Sequence, residues 1–117
     1  MDILHQLRIQ NAKRCPAFGH TIEDWELPRW GNALAGEVGE LCNIIKKLDR
    51  GVKFDRDGMT PLTVNQLADE AADIVIYLDL LCQKAGIDLS TSIVRKFNQR
   101  SDEMGNNIRL YFPDLYF

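Results

Sequence analysis

Apolar residues recur at spacings of three and four over four separate stretches, and nowhere do apolar and polar positions alternate for long enough to make a strand. The pattern predicts an all-α, four-helix, bundle-like domain. The first helix is expected from about Asp2, a plausible N-cap, to Arg14, closed by Cys15-Pro16. Ala17 to Leu27 reads as an ordered loop or short turn anchored by Phe18, Ile22 and Trp25. The second helix should open near Pro28, a residue suited to the first turn, and continue to Arg50 before the stop signal Gly51. Lys46, Lys47 and Arg50 in its last turn complement the helix dipole. Gly51 to Leu62, with Asp55-Arg56-Asp57-Gly58 and Pro61, reads as a polar, mobile loop. Thr63 followed by Gln66 is a capping-box signature for a third helix ending at Gly86. A fourth helix, capped by Ser90 or a neighbour, runs to about Gly105, and an aromatic tail covers about 106–117.

A length of 117 residues suits one domain over 1–117, although a chain of this size can leave apolar surface for a partner subunit to cover. Hydrophobic residues at 45% and charged residues at 26% are a globular composition. With neither a run of 18 apolar residues nor a signal-peptide pattern, the expectation is a soluble, cytoplasmic protein without a membrane partner. The net charge of −3, from 14 basic and 17 acidic side chains, argues against a nucleic-acid partner. Cys15, Cys42 and Cys82 are odd in number and far apart, which fits neither a disulfide framework nor a zinc spacing. They are expected to be reduced and mostly buried.

The informative acids lie on the two middle helices. At roughly 100° per residue, Leu34, Val38, Leu41, Ile45 and Leu48 form an apolar stripe on the second helix, and Glu37 and Glu40 fall together along one flank of it. On the third helix Leu67, Ala71, Ile74, Leu78 and Leu81 form an equivalent stripe, with Glu70 and Asp73 at nearly the same offset. If the helices pack as an antiparallel pair, four carboxylates converge. Like charges near 4 Å repel by roughly 4 kcal/mol at an effective dielectric of 20, so a hard divalent cation is expected among them. All-oxygen ligands favour Mg²⁺, with Mn²⁺ as a substitute, over metals that look for His or Cys. Gly36 and Gly39 each sacrifice roughly 1 kcal/mol relative to Ala inside a helix, which suggests that a neighbouring helix or a ligand approaches the backbone closely.

Nearly the whole chain resembles the MazG-like family of all-α nucleotide pyrophosphohydrolases, related to dCTP pyrophosphatases, dimeric dUTPases and phosphoribosyl-ATP pyrophosphatases. The resemblance is carried by Phe18-Gly19-His20 and Glu23-Asp24-Trp25, by Ala33-Leu-Ala-Gly-Glu-Val-Gly-Glu-Leu41 and by Lys46-Lys47. It continues through Asp69-Glu-Ala-Ala-Asp-Ile-Val-Ile-Tyr-Leu78, Gly86-Ile-Asp-Leu89 and Lys96-Phe97-Asn98. It implies that Glu37, Glu40, Glu70 and Asp73 are Mg²⁺ ligands and that the reaction takes an NTP or dNTP to the monophosphate and pyrophosphate. Many family members start the first motif with two adjacent acids. This chain has Gly36 before Glu37, as does the dCTP-pyrophosphatase-like branch.

In that chemistry Glu37 or Glu40 would take the proton of the attacking water. Lys47, Lys96 and Arg100 are candidate phosphate contacts, because cations must balance charge that the metal does not. Asn98 matches an Asn that faces the nucleotide in the family's last helix. Trp25 could stack on the base, Tyr77 lies one turn after Asp73, and His20 could contact the ligand, whereas Trp30 is expected in the core. His5 is assigned no role, and Asp79, opposite the carboxylate flank, is expected at the surface or a subunit contact. Apolar positions such as Ile3, Leu4, Leu7, Ile93, Val94 and Phe97, with the resemblance, imply a homodimer or homotetramer. The competing class is a non-catalytic helical bundle with a structural cation site or an interaction role. A di-iron bundle is disfavoured, because neither His5 nor His20 stands in a Glu-x-x-His pair.

Overall fold

The computed structural model describes residues 2–112, so the last five positions of the aromatic tail, 113–117, lie outside the described residues. Among those described, the protein is all-α. The helices are α1 (Ile3–Arg14), α2 (Leu27–Asp49), α3 (Val64–Lys84) and α4 (Leu89–Glu103), with a short 3-10 turn at Cys15–Phe18. All four lie close to their expected bounds, and the local causes are visible. Asp2 caps α1 by accepting from the His5 amide at 2.9 Å. Helix α2 carries Pro28 in its first turn and closes at Gly51, whose φ of 77° lets Val52 N–H reach back to the Lys47 carbonyl at 3.0 Å. Gly86, with φ 73°, ends α3 in the same way, Ile87 N–H donating to the Cys82 carbonyl at 2.8 Å.

The chain divides into two compact units, one made of the segment up to Trp25 together with the chain from Asp79 onward, the other of Glu26–Leu78. In the first, α1 packs on the 3-10 turn and on α4, and Cys15, Leu80, Cys82 and Val94 are buried. Asp79 corrects an expectation. It is 2% exposed rather than at the surface, because its Oδ2 accepts from Asn11 Nδ2 at 3.0 Å and Gln83 Nε2 at 2.8 Å. A buried carboxylate is tolerable only with such donors. The cap of α4 is Asp88, which accepts from Thr91 N–H, while Ser90 is buried in the first turn and donates to Asp2. Phe18 is 69% exposed beneath the Arg14 guanidinium, so it does not anchor its loop; Ile22 and Trp25 are half-buried. Burial raises the pKa of the Cys15 and Cys82 thiols, and Cys42 alone of the three is exposed.

In the second unit, Trp30 is 1% exposed and Leu62 is buried, as core residues. The segment expected to be a polar, mobile loop is laced together. Phe54 and Pro61 form an isolated antiparallel bridge, Asp55 N–H donates to Thr60 O, Leu62 N–H donates to Lys53 O, and Asp57 accepts from the amides of Met59 and Thr60. The acidic side chains that made it look solvated are what organise its turn.

Candidate metal centre

The second unit also holds the matched carboxylate pairs. Glu37 on one flank of α2 and Glu70 and Asp73 on one flank of α3 come together, and Glu40 stands beside them. One oxygen from each of Glu37, Glu70 and Asp73 lies within 4.8 Å of the others. All three side chains are half-buried, while Glu40 is exposed next to Glu70. Glu40 and Glu37 both act on Glu70, and Glu37 also feels Asp73, so the acids of α2 and α3 lie close to one another.

The electrostatics follow from that crowding. Burial, and then the charges of Glu40 and Asp73, hold the Glu37 carboxyl above its ordinary value. Glu70 is pushed up to about 7, first by burial and then by the charge of Glu40, its hydrogen bond with Glu40, and the charges of Glu37 and Asp73. Its Oε2 is buried without a hydrogen-bond partner. A stranded carboxylate oxygen facing other carboxylates is costly in the apo chain and well suited to a hard cation. The donor set is all oxygen, as Mg²⁺ or Mn²⁺ requires.

The family model for the MazG nucleotide pyrophosphohydrolase domain matches residues 29–105, taking in both carboxylate pairs and all of α3 and α4. The chain belongs to the MazG family. No curated protein and no solved structure matches the chain. MazG domains generally hydrolyse the pyrophosphate bond of nucleoside triphosphates with a divalent metal. The Phe18-Gly19-His20 and Glu23-Asp24-Trp25 blocks precede the matched segment.

The other anticipated site residues of this MazG domain are placed as follows. Lys47 is half-buried in the carboxylate unit, and its ammonium pairs with Asp55 at 3.5 Å; Tyr77 is half-buried on α3, one turn beyond Asp73. The remaining five lie in the other unit. His20 and Trp25 stack on each other with ring centroids 4.1 Å apart, and His20 Nδ1 also lies 3.0 Å from the Thr21 carbonyl. Lys96 is exposed on α4, and Arg100 pairs with Glu103 at 3.2 Å. Asn98 clasps the tail: its Nδ2 donates to the Leu110 carbonyl at 2.9 Å and its Oδ1 accepts from the Leu110 amide at 2.8 Å. Arg109 adds an ion pair to Asp102 at 2.6 Å. Sequence reasoning passed over Asn43 and Lys46, which line a groove with Glu40. The signal was present in Lys46-Lys47, but the need for a cation to balance phosphate charge did not separate the two lysines. It could not show that Asp55 would engage the Lys47 ammonium.

Proposed function

We propose that this MazG domain is a Mg²⁺-dependent hydrolase that takes nucleoside or deoxynucleoside triphosphates to the monophosphate and pyrophosphate. The observation that carries the reading is the partnerless, buried Glu70 Oε2 among carboxylates whose oxygens lie within 4.8 Å. Glu37, Glu70 and Asp73 would hold the ion, with Glu40 completing the set. Bound there, Mg²⁺ or Mn²⁺ would neutralise phosphate charge and polarise the phosphoryl oxygen. The residues supply the rest. A carboxylate of α2, Glu40 foremost because it is exposed at the rim, accepts a proton from water as the water oxygen bonds to the α-phosphorus. The bond from that phosphorus to the bridging oxygen breaks, and pyrophosphate leaves with the oxygen. Among the sequence candidates for substrate contact, Lys47 and Tyr77 share the unit of the cluster, and His20, Trp25, Lys96, Asn98 and Arg100 belong to the other.

Glu40, exposed at the rim of the three half-buried acids, is open to solvent and substrate, and this favours catalysis over the non-catalytic bundle. The same reading includes a cytoplasmic homodimer or homotetramer acting on free nucleotides rather than on nucleic acid. No helix among the described residues is long and apolar enough to cross a membrane. Assembly is supported by apolar stripe residues left in solvent, Val38 at 40% and Ile45 at 47% exposed. The test is pyrophosphate release from a panel of dNTPs with and without Mg²⁺, together with Glu40→Gln. Turnover that needs Mg²⁺ and disappears in the variant, with unchanged helicity, supports the reading. A wild type that releases no pyrophosphate from any member of the panel ends it.

A further inference from the structure

Along the side of α2 roughly opposite its apolar stripe runs a groove of about 520 Å³ lined by Gly36, Gly39, Glu40, Cys42, Asn43 and Lys46. Glu40 belongs both to the wall of this groove and to the surroundings of Glu70, so the groove begins where the carboxylate cluster ends. Its floor carries Gly36 and Gly39. A Cβ built on Gly36 or Gly39 meets nothing within 4 Å. Among the described residues, nothing therefore demands them by close approach, although glycine weakens a helix interior. The room they leave is room for something else.

The lining says what kind of occupant fits. It contains, among the described residues, no large apolar side chain, since those of α2 lie on the stripe, and it offers an amide and an ammonium. Among the described residues, the side chains of Asn43 and Lys46 have no hydrogen-bond or ion-pair partner, whereas that of Lys47 is engaged by Asp55. At 1.5 Å of rise per residue, Asn43 and Lys46 lie roughly 4.5 Å and 9 Å along the helix from Glu40. That direction and reach suit a chain of phosphates leading away from the carboxylates, with the flexible lysine stem reaching back towards it.

We propose that the groove seats the β- and γ-phosphates of the triphosphate, Lys46 meeting their charge and Asn43 donating its amide to their oxygens. The assignment rests on the reading of the carboxylate cluster given above, and it makes Lys46, rather than Lys47, the principal phosphate contact on α2. It also gives the helix glycines a purpose: a bulky side chain at Gly39 would stand where the phosphates lie.

The experiment uses the full chain with Mg²⁺ and whichever dNTP of the panel is turned over fastest. Inhibition by imidodiphosphate, a non-hydrolysable pyrophosphate analogue, is compared with inhibition by the matching dNMP in wild type, Lys46→Gln and Lys13→Gln, the last an exposed cation on α1. In Lys46→Gln, KM for the triphosphate and the inhibition constant of imidodiphosphate should both rise about tenfold or more. Inhibition by dNMP should stay within about twofold, and Lys13→Gln should match wild type. Gly39→Leu should reproduce the loss of imidodiphosphate inhibition. Unchanged imidodiphosphate inhibition in an active Lys46→Gln overturns this inference alone. Selective loss of dNMP inhibition, or a change of oligomeric state in Lys46→Gln or Gly39→Leu, overturns it in favour of a nucleoside seat or a subunit contact. A wild type without pyrophosphate release sinks the underlying reading and the inference with it.

Discussion

Removing one negative charge from the carboxylate cluster should make the metal-free protein more stable, and this is the sharpest consequence of the geometry at Glu70. In the folded chain its pKa stands at about 7 against an ordinary 4.5. A carboxyl raised on folding contributes stability that is fully present below the unfolded value and is lost as pH rises through the folded one. The loss therefore falls between about pH 4.5 and 7, and Glu37, also raised, acts with the same sign. At 1.36 kcal/mol per pKa unit the Glu70 shift corresponds to roughly 3 kcal/mol, and solvent screening of a half-buried group leaves about 1–3 kcal/mol. Glu70→Gln cannot ionise and escapes the loss. In EDTA at pH 8, thermal melts followed by circular dichroism should place the variant roughly 3–10 °C above wild type, with the gap closing at pH 5. Adding Mg²⁺ at pH 8 should stabilise the wild type by about 2.7 kcal/mol at a hundredfold excess over Kd, raising its midpoint, and leave the variant nearly unmoved. A variant no more stable than wild type in EDTA at pH 8, or a wild-type melt indifferent to pH between 5 and 8, would refute the account of the cluster.

Other expectations concern the surroundings of the site. Trp30→Ala removes a side chain only 1% exposed and should cost about 3–5 kcal/mol in urea unfolding. Asn11→Ala leaves buried Asp79 one donor short and should destabilise by about 1–3 kcal/mol in the same assay. Gly39→Ala, with open space around the added methyl, should raise helix stability by up to about 1 kcal/mol, and a loss in thermal melting would show that the space is used within the chain. Asn98→Ala should free the Leu110 backbone and speed tryptic cleavage after Arg109, read by mass spectrometry of the nicked product.

Helix positions were legible in the sequence because their signals are local. Asp2, Pro28, Gly51, Thr63 and Gly86 each act within a turn of where they stand, and the structure puts helix ends beside all of them. The carboxylate cluster was legible for a different reason. Two pairs at equal offsets from two apolar stripes need only the helical period to be brought into register. What escaped was anything decided by a distant partner. Asp79 looks like a surface acid until Asn11, 68 residues away, supplies a donor that permits its burial. Phe18 looks like an anchor, but its side chain is left in solvent. Asp55 and Asp57 read as loop polarity, although their carboxylates fasten the turn and hold Lys47. Periodicity gives the direction of a side chain, and only the folded chain shows what meets it.

The Asn98 amide stands in for a peptide group, meeting both the N–H and the C=O of Leu110 as a neighbouring strand would. Slow hydrolysis of asparagine to aspartate preserves the shape of the side chain but replaces the donating nitrogen with an oxygen turned towards a carbonyl. One deamidation event therefore converts a clasp into two acceptors in opposition. In aged preparations the segment after α4 should work loose while the helices stay intact.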